Sequence, residues 1–153
     1  MTDNPGNSVH ERMFRSKGTH RIPLGISACL LGRQVRFDGG HKRSAFCTDT
    51  LSDYFDFQSF CPEVAIGMGT PRDPVRLVWQ EGEKRLVGTR DPDQDYTERM
   101  QAWCDEQARA LDGLSGFVFM QKSPTCGVFR TKVYDPRGHI HDMDSGLWAE
   151  AVR

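Results

Sequence analysis

Three apolar runs in this chain end in the same way. "IPLGISACLL" (22–31), "FQSFCPEVAIG" (57–67) and "LSGFVFMQKSPTCG" (114–127) each carry a strand-like stretch into a cysteine beside a glycine- or proline-containing loop. Short apolar runs bounded by such loops suit buried strands. Where helical segments separate them, strands of this kind assemble as a mostly parallel sheet with helices on its faces. Ligands then bind beyond the carboxyl ends of the strands. The pattern predicts that Cys29, Cys61 and Cys126 converge on one edge of the sheet.

The intervening segments supply the remaining elements. "KRSAFCTDTLSDYF" (42–55) reads as helical, with apolar residues at Phe46, Leu51, Tyr54 and Phe55, and the best helical pattern runs from Asp95 to Asp112. Asp95 can cap that helix, with Glu98 three residues on completing a capping-box-like pair. "VRLVWQEGEKRLVG" (75–88) reads as a hairpin around Gly82, and "TKVYDPRGHIHDM" supplies a last strand and a Pro-Gly turn. Pro62 breaks the second run, since proline cannot sit inside a central strand. The expected fold is α/β: a three-layer, mostly parallel (Rossmann-like) sheet with a β-hairpin insertion.

The 153 residues suit one domain. It is expected over 21–153, behind a flexible arm at 1–20 that is polar, of mixed charge and without an apolar run. That arm has no signal-peptide h-region, and no stretch approaches the roughly 18 apolar residues of a membrane span, which points to a cytoplasmic protein without a membrane partner.

The five cysteines lie 18, 14, 43 and 22 residues apart, with no C-x-x-C pair. In a cytosolic chain this is no disulfide framework, and structural zinc sites carry closer spacings. Cys47 and Cys104 sit inside helical patterns, beside Phe46 and Trp103, and read as packing. Cys29, Cys61 and Cys126 could hold an iron–sulfur cluster, a catalytic zinc, or nothing. A 4Fe–4S cluster normally takes four cysteines, so three would leave one iron open. Glu63, two residues after Cys61, is then a candidate general base, and Ser123, three before Cys126, a proton relay or substrate contact. The plainer readings are a surface carboxylate and a turn-forming serine before Pro124.

Further polar residues crowd the first loop. "VRFDGGHKR" sets Arg36, Asp38, His41 and Lys42 around the flexible Gly39-Gly40 pair, as candidate substrate contacts. "GMGTPR" (67–72) is too little for a phosphate-loop fingerprint and reads as a loop presenting Arg72. His139 and His141 share a strand face and form a weak candidate metal pair. Residues 1–43 hold eight Lys/Arg against three Asp/Glu, while the rest of the chain is acidic. The uneven charge suits either a solvated tail or a basic lip beside an anionic ligand.

"SACLLGRQVRFDGGHKR", "FCPEVAIGMGTPR" and "KSPTCG" together resemble, in order, the TudS-type thiouracil desulfidase family. The likeness spans about residues 22–148. It implies a non-redox desulfidase with a 4Fe–4S cluster on Cys29, Cys61 and Cys126, Glu63 as acid/base and Ser123 assisting. The variant forms "VRFDGGHKR" and "VAIGMGTPRDPVRLV" are more similar to the N-terminal domain of fused, RudS-like proteins that act on 4-thiouridine in tRNA. The partners implied are a thiolated pyrimidine base or nucleoside, tRNA, and a helical C-terminal domain that this chain does not contain. The alternative from another class is an iron–sulfur redox-sensing or binding module without catalysis.

Overall fold

The computed structural model describes residues 21–153, so the arm expected over 1–20 lies outside the described residues. Strand β1 (Ile22–Ser27) lies between β2 (Phe55–Phe60) and the later β5 (Phe117–Val118), parallel to both. A second sheet joins the hairpin β3 (Val75–Gln80) and β4 (Glu83–Gly88) to β6 (Thr131–Tyr134) and β7 (Ile140–Asp144), in the order β4-β3-β6-β7. In that sheet β3 and β6 run parallel, and the outer pairs are antiparallel. Among the described residues three α-helices complete the α/β architecture: α1 (Pro62–Ala65), α2 (Thr97–Arg109) and α3 (Leu147–Val152). The fold is α/β with parallel-rich open sheets, and its strands are shared between two sheets.

An aromatic core ties the parallel sheet to the C-terminal helix. Trp148 of α3 is fully buried, with its ring 4.8 Å from Trp103, 5.5 Å from Phe60 and 5.8 Å from Phe117. Leu77, Leu86, Met100, Cys104 and Val133 extend this cluster beneath the second sheet. A smaller cluster of Ile26, Leu31, Cys47 and Phe57 fills the other side of β1. Cys47 and Cys104 are thus core residues, as their helical settings suggested.

Three local expectations change, and the break at Pro62 holds. The segment 42–55 is not one helix but a π-turn at Phe46–Thr50 followed by a tight 3₁₀ turn at Leu51–Asp53. Hydroxyls explain this: Thr48 Oγ1 donates to the Ser44 carbonyl at 3.2 Å and Ser52 Oγ to the Thr48 carbonyl at 2.6 Å, competing with the helical ladder. Cys47 and Thr48 therefore face inward, and Phe46 and Tyr54 are exposed.

The run over 57–67 breaks at Pro62 as expected: its strand ends at Phe60, and Pro62 opens α1 at a first-turn position where no backbone donor is needed. The strand expected over 114–121 shrinks to Phe117–Val118. Its neighbour β1 turns away after Ser27, and the Ser27 hydroxyl takes the Met120 N–H at 2.9 Å in place of a ladder carbonyl. Helix α2 starts at Thr97, where Asp95 Oδ1 accepts the Thr97 N–H at 2.9 Å. Glu98 does not close a capping box; it accepts from Arg85 at 2.6 Å instead.

Candidate functional site

The parallel strands deliver the three cysteines to one hollow. After Ser27 the chain enters a 3₁₀ turn, Ala28–Leu31, closed by Gly32 at φ 86°, a left-handed conformation that favours glycine. Cys29 sits in this turn. Its carbonyl accepts the Lys42 N–H at 3.0 Å, and the Leu30 carbonyl accepts the Ser44 N–H at 2.8 Å, folding the loop 33–43 back over the strand end. Cys61 follows β2 directly, and its carbonyl starts α1 by accepting the Ala65 N–H at 2.9 Å.

Cys126 lies on the loop after β5, and the C-terminal helix holds it there. The N–H groups of Trp148 and Ala149 donate to the Thr125 carbonyl at 2.9 and 3.0 Å, and Leu147 N–H donates to the Pro124 carbonyl at 3.2 Å. The orphan donors of the first turn of α3 thereby clamp the Ser-Pro-Thr-Cys loop. Within the loop, Ser123 Oγ accepts the N–H of Cys126 at 3.0 Å and of Thr125 at 3.2 Å.

All three cysteines line one cavity of about 500 Å³, together with Glu63 and Ser123. Arg36, Lys42, Arg72 and Lys122 supply its positive charge, and Val35, Phe37, Phe60, Pro62 and Met120 give it apolar walls. Arg72 is presented by the Gly67–Gly69 loop as the sequence suggested, with its backbone N–H bonded to the Phe37 carbonyl at 2.7 Å. Asp38 and His41 do not reach the cavity lining. Asp38 Oδ1 accepts the Gly40 N–H at 2.9 Å and His41 Nδ1 the Arg43 N–H at 3.0 Å, so both shape the loop that carries Arg36 and Lys42. His139 pairs with Asp135 at 3.7 Å, and His141 stacks on Trp79.

The sequence reading passed over Thr125. It is fully buried, and its hydroxyl donates to Glu63 Oε1 at 2.7 Å. The single hydroxyl proton is committed to that bond, so Ser123 Oγ, 3.2 Å from Thr125 Oγ1, acts as donor in turn. The result is a hydroxyl chain, Ser123 to Thr125 to Glu63. The other carboxyl oxygen, Oε2, lies 3.7 Å from the Cys61 sulfur. The only sequence signal for Thr125 was its place beside Cys126.

Burial governs the thiols. It raises Cys61 to about 12, with the Glu63 charge adding to the effect, and it raises Cys126 for the same two reasons. Burial also raises Cys29, but there the Arg36 guanidinium works the other way. None of the five cysteines is in a disulfide. Among the described residues no three His, Cys, Asp or Glu side chains are grouped closely enough to hold a single metal ion. The three thiols surround a cavity rather than a point.

Residues 24–153 match the family model described as 2-thiouracil desulfurase. The chain belongs to this family. A relative within reach is the uncharacterized protein YbbK of Bacillus subtilis (strain 168), 30% identical over 108 residues, or 67% of this chain and 71% of that protein. Among solved structures, the [4Fe-4S]-dependent thiouracil desulfidase TudS superposes with a TM-score of 0.62 at 28% identity, covering 88% of this chain and 85% of that one. Among the described residues no helix of this 2-thiouracil desulfurase family member is long and apolar enough to cross a membrane.

Proposed function

We propose that the protein is a desulfidase that replaces the thiocarbonyl sulfur of a thiolated uracil with oxygen from water, using a 4Fe–4S cluster held by Cys29, Cys61 and Cys126. The observation that carries this reading is the placement of three thiols and a buried carboxyl group on one cavity. The donor set fits the group. A single zinc would need its thiolates about 3.8 Å apart, given Zn–S bonds near 2.3 Å. A cluster ligates each cysteine through a different iron and so suits thiols that ring a cavity. When bound, it would offer an iron without a cysteine of its own, a soft acceptor for the departing sulfur.

The net reaction is C=S plus water giving C=O plus hydrogen sulfide, and no electrons are gained or lost. Glu63 is held at Oε1 by Thr125, and its Oε2, which faces the Cys61 sulfur at 3.7 Å, would take a proton from the attacking water once Cys61 has given up its own on binding the cluster. Ser123 and Thr125 fix that carboxyl group. Arg36, Lys42 and Arg72 hold negative charge that develops on the ring or its substituents, and the apolar walls sandwich the flat pyrimidine and keep bulk water out. Asp38 and His41 act through the shape of their loop. The substrates proposed are thiouracil, 4-thiouridine and 4-thiouridine within tRNA, in the reducing cytoplasm, where five unpaired thiols are at home. A sensor module would have no use for the Glu63–Thr125–Ser123 chain.

The test is turnover of 4-thiouracil by anaerobically reconstituted protein without an electron donor. Loss of thiocarbonyl absorbance should match sulfide released, and Glu63→Gln should keep its iron while losing about 10²–10⁴-fold in rate. A requirement for dithionite at every turnover would overturn the hydrolytic reading.

A further inference from the structure

Cys126 lies among three hydroxyl groups, and the proton of each can be followed. Thr125 Oγ1 is 3.7 Å from the Cys126 sulfur, but its proton goes to Glu63 Oε1 at 2.7 Å. Ser123 Oγ accepts two N–H groups of its own loop and donates to Thr125. Ser27 is the third. It is 2% exposed, ends β1 and lines the cysteine cavity. Its Oγ accepts the Met120 N–H at 2.9 Å, which leaves the hydroxyl proton for another partner. The Cys126 sulfur takes that place, hydrogen-bonded to the Ser27 side chain.

The direction of this bond follows from the two partners of Ser27. A cysteine sulfur that ligates iron is a thiolate without a proton, so it can only accept. The Met120 N–H can only donate, so the Ser27 hydroxyl turns its own proton toward the sulfur. One side chain on β1 thereby ties both ends of the loop 120–126, which carries Ser123, Thr125 and Cys126. The other two sulfurs have donors of different kinds. The Arg36 side chain hydrogen-bonds Cys29, and the Val64 N–H of α1 hydrogen-bonds Cys61. Ser27 supplies the neutral side-chain donor of the set, so it can be replaced without changing the charge of the cavity.

We infer that Ser27 is a positioning residue for the cluster: its hydroxyl, braced by the Met120 N–H, donates to the Cys126 sulfur and draws electron density from the iron bound there. A donor beside a ligating sulfur stabilises the more negative, reduced cluster, so the reduction potential rises. Hydrogen-bond partners behind a metal ligand also hold it in its binding orientation. Ser27 thus makes the cluster harder to oxidise and its iron harder to lose, which suits a cluster that exchanges no electrons with its substrate. The inference rests on the cluster reading of this cavity.

The experiment reconstitutes wild type, Ser27→Ala, Ser27→Thr and Ser59→Ala anaerobically. Ser59 is a buried hydroxyl of β2 outside the cavity lining, and it reports the general cost of such a loss. The readings are the reduction potential of the cluster, followed by electron paramagnetic resonance, and the iron retained against a chelator. Ser27→Ala should show a more negative potential and hold iron about 10–100-fold less well, with Ser27→Thr and Ser59→Ala close to wild type. A loaded Ser27→Ala with the wild-type potential overturns the inference. Should Ser27→Ala hold no cluster, recovery of loading and potential in Ser27→Thr assigns the effect to the hydroxyl, and failure of both variants to load overturns it. Wild type that takes up no cluster would overturn the cluster reading instead. Amide exchange at Met120 in cluster-free protein, faster in Ser27→Ala than in wild type, would then show that the brace itself stands.

Discussion

Thr125 and Glu63 lie 62 residues apart in sequence and meet through a buried hydroxyl-to-carboxyl hydrogen bond of 2.7 Å. Glu63 is 8% exposed and Thr125 not at all, so the bond lies largely out of bulk solvent. Thr125→Val keeps the shape and deletes the donor. Leaving a buried acceptor unsatisfied costs about 1–3 kcal/mol, more when it is charged. The variant should unfold at lower temperature and release sulfide more slowly, whereas Thr125→Ser should recover both. Failure of serine to rescue either property would show that the methyl group, rather than the hydroxyl, matters.

Cluster ligation should divide the five cysteines. Cys29→Ser, Cys61→Ser and Cys126→Ser should each lose most iron and acid-labile sulfide after reconstitution, because a hydroxyl is a poor ligand for a soft metal. Cys47→Ser and Cys104→Ser should keep theirs, at some cost in stability for a polar atom placed in a core. Iron analysis reads the outcome directly. If Cys47 or Cys104 proved essential for iron and one of the other three did not, the ligand assignment would fail.

Without a cluster, the raised thiols make stability depend on pH at the alkaline end. Cys61 and Cys104 lie at about 12, against 9.0 for an ordinary cysteine here. Above 9 the unfolded chain releases these protons and the folded chain does not, so the unfolded state binds fewer protons. Stability should therefore hold below about 9 and decline as pH rises toward 12. Chemical unfolding of cluster-free protein across that range measures the slope. Cys104→Ala should flatten it, and a slope of the opposite sign would contradict the burial argument.

The C-terminal helix should control the cysteine loop. A Cβ added at Gly146 would lie 2.5 Å from the Thr125 carbonyl oxygen, a backbone atom that cannot step aside. Gly146→Ala is expected to cost about 1–3 kcal/mol as overpacking. Because Thr125 adjoins Cys126, it should lower iron content as well. A variant that is destabilised yet loads iron normally would show that the loop is held independently of α3.

Much of the site could be read along the chain. An apolar run with a glycine or proline at its end marks where a strand stops, and parallel strands place those ends on one side. Cys29 and Cys61 come to one cavity for that reason, Cys126 joins them from the loop after β5, and Pro62 ends its strand through its own missing donor. Asp38 and His41 were harder to judge, because the same side chains that could grip a substrate also bond their own loop two residues on.

What the residues determined by themselves was local: where strands end, which loops carry thiols, and where cations accumulate. The tertiary structure decided everything that depends on distant partners. Phe117–Val118 stayed short because β1 turns away at Ser27, and the hairpin joined β6 rather than standing alone. Thr125 found Glu63, α3 clamped the loop of Cys126, and Arg76 came beside Lys132 across parallel strands. Such meetings follow from how the sheets pack and register. No periodicity within either segment encodes them, because each segment holds only half of the contact.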